Sequence, residues 1–119
     1  MRIGELARRA GVSELVLRYY EEQGLLAPER RLSGYRVYRD EDVALVGRIR
    51  VLLAAGLSTA QIVEVLPCIV DDDGLLTPDC PESVDRLVQQ RDRIDQAIGA
   101  LAATRTNLDT IITSRRRPG

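Results

Sequence analysis

Apolar residues first recur at helical spacing in Ile3, Leu6, Ala7 and Ala10, which predicts a short helix over residues 3–10. Gly11 supplies a stop, because glycine readily takes the left-handed conformation that ends helices. Ser13 is an N-cap for a second helix from about Glu14 to Gln23, and Gly24 ends it. Two short helices joined by a glycine-containing turn form a helix-turn-helix, a pattern that generic helical hairpins share. Pro28 and Ser33-Gly34 then mark turns, and Tyr35, Arg36, Val37 and Tyr38 favour an extended strand. This stretch predicts a small hairpin, the wing of a winged helix-turn-helix. Asp40 is expected to cap a third helix with the stripe Val43, Val46, Ile49, Arg50, Leu53 and Ala54, and Gly56 ends it. Ser58 caps a fourth helix through about Leu66, with Ile62, Val65 and Leu66 apolar.

The pattern changes after Leu66. Residues 67–81 hold three prolines, one glycine and the run Asp71-Asp72-Asp73, which predicts a loop. Residues 82–114 hold no proline and a single glycine, Gly99. There Leu87, Ile94, Leu101 and Leu108 recur every seven residues, and Val84, Arg91, Ile98, Arg105 and Ile112 form a second such series. This is a coiled-coil seam. At about 1.5 Å per residue the helix is roughly 50 Å long. A domain formed by the preceding residues is too small to bury that seam, so a partner helix is expected, most simply a second copy of the chain. The expected fold class is mainly α: a winged helix-turn-helix DNA-binding domain over 1–66 with a second helix pair, an acidic proline-containing loop over 67–81, a long coiled-coil dimerisation helix over 82–114 and a basic tail over 115–119.

Composition narrows the chemistry. The 119 residues fit one domain, or a small domain plus an accessory helix. All four aromatic residues are tyrosines, so aliphatic side chains must build the core. The absence of histidine excludes serine–histidine catalysis and imidazole metal ligation. The absence of lysine excludes Schiff-base chemistry and the phosphate-loop lysine. No phosphate-cradling glycine loop is present either, and an enzyme is the least expected class. All 17 basic residues are arginines, whose planar fork suits phosphates and carboxylates. Two cysteines are too few for a disulfide-dense secreted scaffold. No apolar run reaches membrane-spanning length and the N-terminus does not read as a signal peptide, so a cytoplasmic location is expected.

The net charge of −1 conceals a division along the chain. Residues 1–50 carry 10 Arg and 8 acids, residues 51–82 no Arg and 6 acids, and residues 83–119 7 Arg and 4 acids. The two basic segments remove most of the objection that net charge raises to a nucleic-acid partner.

The chain resembles the MerR family of bacterial transcription regulators. Ile3-Gly4-Glu5-Leu6-Ala7 and Gly11-Val12-Ser13 are similar to that family's opening helix and turn, and Leu17-Arg18-Tyr19-Tyr20-Glu21 with Gly24-Leu25-Leu26 to its recognition helix. Gly34-Tyr35-Arg36-Val37-Tyr38 resembles the family's wing, and Gly56-Leu57-Ser58 the join before its fourth helix. The resemblance implies a homodimer held by an antiparallel helix pair, and promoter DNA, with RNA polymerase upon it, as partner. It also implies bending and untwisting of a promoter whose spacer is too long. Family members mostly read an effector through a region after the dimerisation helix. The sequence runs only about seven residues past its last heptad position, so no separate effector domain is expected.

On this reading the recognition helix enters the major groove. Arg18 and Tyr19 are expected to contact phosphate and base edges, with Ser13, Val16 and Leu17 in its first turns as further candidates. On the wing, Arg36 is expected to meet phosphate. Tyr38 either hydrogen-bonds a phosphate or packs beneath the wing. Cys68 and Cys80 stand 12 apart. They could hold a soft metal, form a redox-active pair, or simply pack or pair in the loop, and this last reading is preferred; no cofactor or metal is assigned. Two alternatives to a DNA-binding regulator remain: a protein-interaction module on the same scaffold, and a thiol- or metal-responsive sensor. The Asp71–Asp73 run is expected to be a solvated loop and the Arg115–Arg117 tail disordered.

Overall fold

The computed structural model describes residues 1–115, which form two compact units, residues 1–84 and the residues from 85 onward. In the first unit α1 (Ile3–Ala10) and α2 (Glu14–Glu22) form the helix-turn-helix. Gly11 closes α1 at φ 71°, a conformation that would strain a side chain. Ser13 caps α2, its Oγ accepting from the Val16 N–H at 3.1 Å. The wing pairs β1 (Glu29–Arg30) with β2 (Arg36–Val37), antiparallel, Glu29 opposite Val37 and Arg30 opposite Arg36. Backbone bonds between Met1 and Tyr38 in both directions tie the start of the chain to the end of the wing.

Helices α3 (Glu41–Ala54) and α4 (Thr59–Val65) complete the core. Leu6, Leu17, Val46, Ile49, Ile62 and Val65 are fully buried there. The expected cap of α3 is replaced: Asp40 is itself helical and makes no cap bond, and Asp42 Oδ2 accepts from the Arg39 N–H at 2.9 Å instead. Asp40 turns outward to Arg9, 3.0 Å away. The buried stripe of α3 is Asp42, Val46, Ile49 and Leu52; Arg50 is exposed and donates to the carbonyl of Ala10 at 3.2 Å. That places a cation at the negative end of α1. Ser58 and Gln61 cap α4 reciprocally, each side chain bonding the other's backbone N–H.

Residues 67–81 are not a loop. A 3-10 turn (Leu66–Cys68) leads into a second antiparallel hairpin, β3 (Ile69–Asp72) with β4 (Leu75–Pro78). Asp73 at φ 51° and Gly74 at φ 82° form its two-residue turn, the Asp-Gly pair that type I′ hairpins favour. The three prolines stand at element ends: Pro67 in the 3-10 turn, Pro78 closing β4 and Pro81 opening α5 (Pro81–Thr113), where a missing N–H costs nothing. A disulfide joins Cys68 to Cys80 and closes the base of the hairpin.

Helix α5 runs without interruption for 33 residues. Ile94, Ile98, Leu101, Leu108 and Ile112 of the heptad series are all exposed in the single chain. Among the described residues, no helix is long and apolar enough to cross a membrane. The basic tail falls largely on residues 116–119, which lie outside the described residues.

Candidate nucleic-acid interface

Burial of one side of α2 decides which residues it can present. Leu17 and Tyr20 turn into the core, three residues apart. The opposite side carries Leu15, Arg18, Tyr19 and Glu22, all exposed. With Val16 they line a surface concavity of about 460 Å³. Ser13 is exposed at the head of the helix and Val16 is half-buried. Arg18 and Tyr19 therefore lie on an outward face of a capped helix.

Two of the expected contact residues are not on that face. Leu17 has no exposed surface, so its side chain cannot reach a base edge. Tyr38 is 2% exposed and packs beneath the wing, the second of its two readings, and its hydroxyl has no hydrogen-bond partner among the described residues. Burial raises the Tyr38 phenol above its ordinary pKa; Glu21 and Asp42 add to the rise, while Arg36 and Arg18 oppose it. Tyr20 is raised by burial too, against the pull of Arg50.

The wing is attached to α2 through charge. Arg36 Nε donates to Glu21 Oε2 at 2.7 Å, and Arg30 Nη2 lies 3.5 Å from Glu21 Oε1. Arg30 and Arg36 face each other across the strands, so one carboxylate relieves a like-charge pair and fixes the wing to the helix. A guanidinium has five N–H donors. Glu21 engages the Nε–H of Arg36, and the side chain remains half-exposed. Nearby, the Arg2 guanidinium lies 4.1 Å from the centre of the Tyr35 ring, a cation–π contact on the wing.

Sequence reasoning missed three features here: the bridging role of Glu21, the Arg2–Tyr35 contact and the exposure of Leu15. Only the last had a signal, since a helix that buries positions 17 and 20 turns 15, 18, 19 and 22 outward. The disulfide leaves neither cysteine as the thiolate that a soft metal needs. Among the described residues, no group of three or more Cys, Asp or Glu is placed to hold a metal.

Residues 1–68 match the sequence profile described as "MerR HTH family regulatory protein". The chain is 43% identical over 67 residues to "Heavy metal-dependent transcription regulator 2" of Rhizobium meliloti, covering 56% of this chain and 46% of that protein. The chain thus spans about half the length of that relative. It is 33% identical over 108 residues to the "HTH-type transcriptional activator SoxR homolog" of Chromobacterium violaceum, covering 82% of this chain and 73% of the relative. Among solved structures, the lead(II) complex of the transcription regulator PbrR691 from Ralstonia metallidurans superposes with a TM-score of 0.78 at 25% identity, covering 100% of this chain and 90% of the other.

Proposed function

Since the chain belongs to the MerR family, we propose that it is a homodimeric, sequence-specific DNA-binding transcription regulator. In this reading α2 enters the major groove, with Arg18, Tyr19 and Ser13 at phosphates and base edges and Val16 at the rim. The wing lies on the adjoining backbone, where the terminal nitrogens of Arg36 neutralise phosphate. Tyr38 and Leu17 act from beneath as packing residues. The observation that carries this reading is the shared outward face of Arg18 and Tyr19 on a capped helix to which Glu21 fastens an arginine-bearing wing. Groove width favours it as well, because the major groove admits one α-helix.

Two chains associate through antiparallel packing of α5. The exposed heptad residues support this, since soluble monomers rarely leave so long an apolar strip uncovered. The dimer presents two recognition helices to two half-sites. It bends and untwists a promoter with a long spacer, and RNA polymerase binds the reshaped DNA. The reading is of a binding protein and not an enzyme, in keeping with a chain that has neither His nor Lys. The test is selection of bound duplexes from a random pool followed by sequencing. An inverted repeat with a preference well above unrelated duplex is expected. Recovery of unenriched DNA would overturn the reading and favour a protein-interaction module.

A further inference from the structure

Leu15 is 76% exposed on a helix whose core contacts are made by Leu17 and Tyr20. The fold does not use it. It lies one residue inside the capped start of α2, the part of a recognition helix that reaches base edges. Side chains on a helix lean toward its N-terminus, so Leu15 covers the leading edge of that face. Its neighbours around the concavity are Val16, Arg18, Tyr19 and Glu22, which makes an apolar spot beside a guanidinium. The floor of the major groove is mostly polar, and its one methyl group is the C5 methyl of thymine. An aliphatic side chain carried into that groove finds its most favourable partner there.

We infer that Leu15 is a specificity-determining residue that packs on the 5-methyl group of a thymine in each half-site, selecting T·A over pairs that lack the methyl. The inference rests on the DNA-binding reading above. Arg18, one helical step away, binds phosphate or an adjacent guanine and fixes how deeply Leu15 sits.

The test uses the full-length protein and the selected operator, with single thymines replaced by uracil, which differs only by the missing methyl. For wild type, one position per half-site should lose about fourfold in affinity, the worth of one buried methyl group, and about fifteenfold when both half-sites are substituted. Leu15→Ala should bind more weakly and be indifferent to uracil at that position, while Leu15→Met should keep the dependence. Leu15 is exposed, so both variants should fold, which circular dichroism checks. Tight wild-type binding that ignores every uracil substitution would overturn the inference alone, as would a dependence that survives in Leu15→Ala. Failure to prefer the operator over unrelated duplex would instead remove the DNA-binding reading, and this inference with it.

Discussion

Glu21 of the recognition helix holds Arg36 of the wing at 2.7 Å, with the carboxylate side chain only 18% exposed. In the proposed complex the contact links two elements that meet one DNA duplex together. It also explains how two arginines can stand opposite each other in a two-residue ladder. A double-mutant cycle with Glu21→Gln and Arg36→Ala, read by urea unfolding, should give a coupling of about 1 kcal/mol, the upper end for partly exposed pairs. Additive effects of the two substitutions would show that the contact contributes nothing.

In the proposed complex the same arginine also serves the DNA backbone. Each neutralised phosphate contributes about −0.9 to the slope of log affinity against log salt. A dimer loses two contacts per substitution, so Arg18→Ala and Arg36→Ala should each give a slope shallower by about 1.8. Arg36→Ala should weaken operator and unrelated duplex alike, whereas a base contact by Arg18 would relax one position of the operator. Salt titrations on both duplexes check this, and unchanged slopes in both variants would take this surface off the DNA.

Tyr38→Phe removes a buried hydroxyl that has no partner among the described residues. The variant should gain about 1 kcal/mol of stability and bind DNA as wild type does. The raised pKa of Tyr38 also sets a sign with pH. The folded state holds the phenolic proton more tightly than the unfolded state, whose tyrosine titrates near 10.0. Stability from this group is therefore complete below pH 10 and is lost as pH rises through the higher folded value. Tyr20 acts in the same direction. Unfolding midpoints between pH 9 and pH 11 (about one unit either side of a tyrosine's ordinary titration) should fall less steeply in Tyr38→Phe than in wild type. A loss of DNA affinity in that variant would return the hydroxyl to the interface.

Leu101 is 71% exposed in the single chain and central in the heptad series. Leu101→Asp should convert a sedimenting dimer to monomer or aggregate at micromolar concentration, because an unpaired charge in a desolvated seam is strongly destabilising. A monomeric wild type would contradict the dimer.

The Cys68–Cys80 bridge closes a loop between cysteines 12 positions apart. By loop-closure entropy its reduction should cost about 3 kcal/mol of stability. Urea unfolding with and without a phosphine reductant measures this, and Cys68→Ser/Cys80→Ser should match the reduced protein. Operator affinity of that variant should stay within about twofold of wild type, with or without zinc or oxidant, since the bridge lies at the base of the second hairpin and not on α2. A tenfold metal- or oxidant-dependent change confined to wild type would assign the cysteines a sensory role.

Elements held together by neighbours in sequence are legible from the sequence alone. Ser13 and Ser58 cap helices through backbone groups three residues away, and Gly11 ends one through its own φ, so each signal is local. The seven-residue repeat of α5 is likewise a property of one helix. The hairpin of residues 69–78 is equally local yet reads as a loop in the sequence, because three acids and three prolines outweigh the Asp73-Gly74 turn that joins its strands. The prolines fall at element boundaries and so oppose neither strand. Periodicity could place Arg18 and Tyr19 on one helix, but not tell which side of that helix the core would take. Packing against α1 and the rest of the domain settled this, burying Leu17 and Tyr20 and leaving Leu15 outside. Tyr38 was ambiguous for the same reason: an aromatic at the end of a strand can face either way, and only the residues beneath it decide. The Glu21–Arg36 pair joins positions 15 residues apart in sequence on a helix and a strand. Local sequence fixes which groups an element carries, whereas their meeting depends on how separate elements bury their apolar faces.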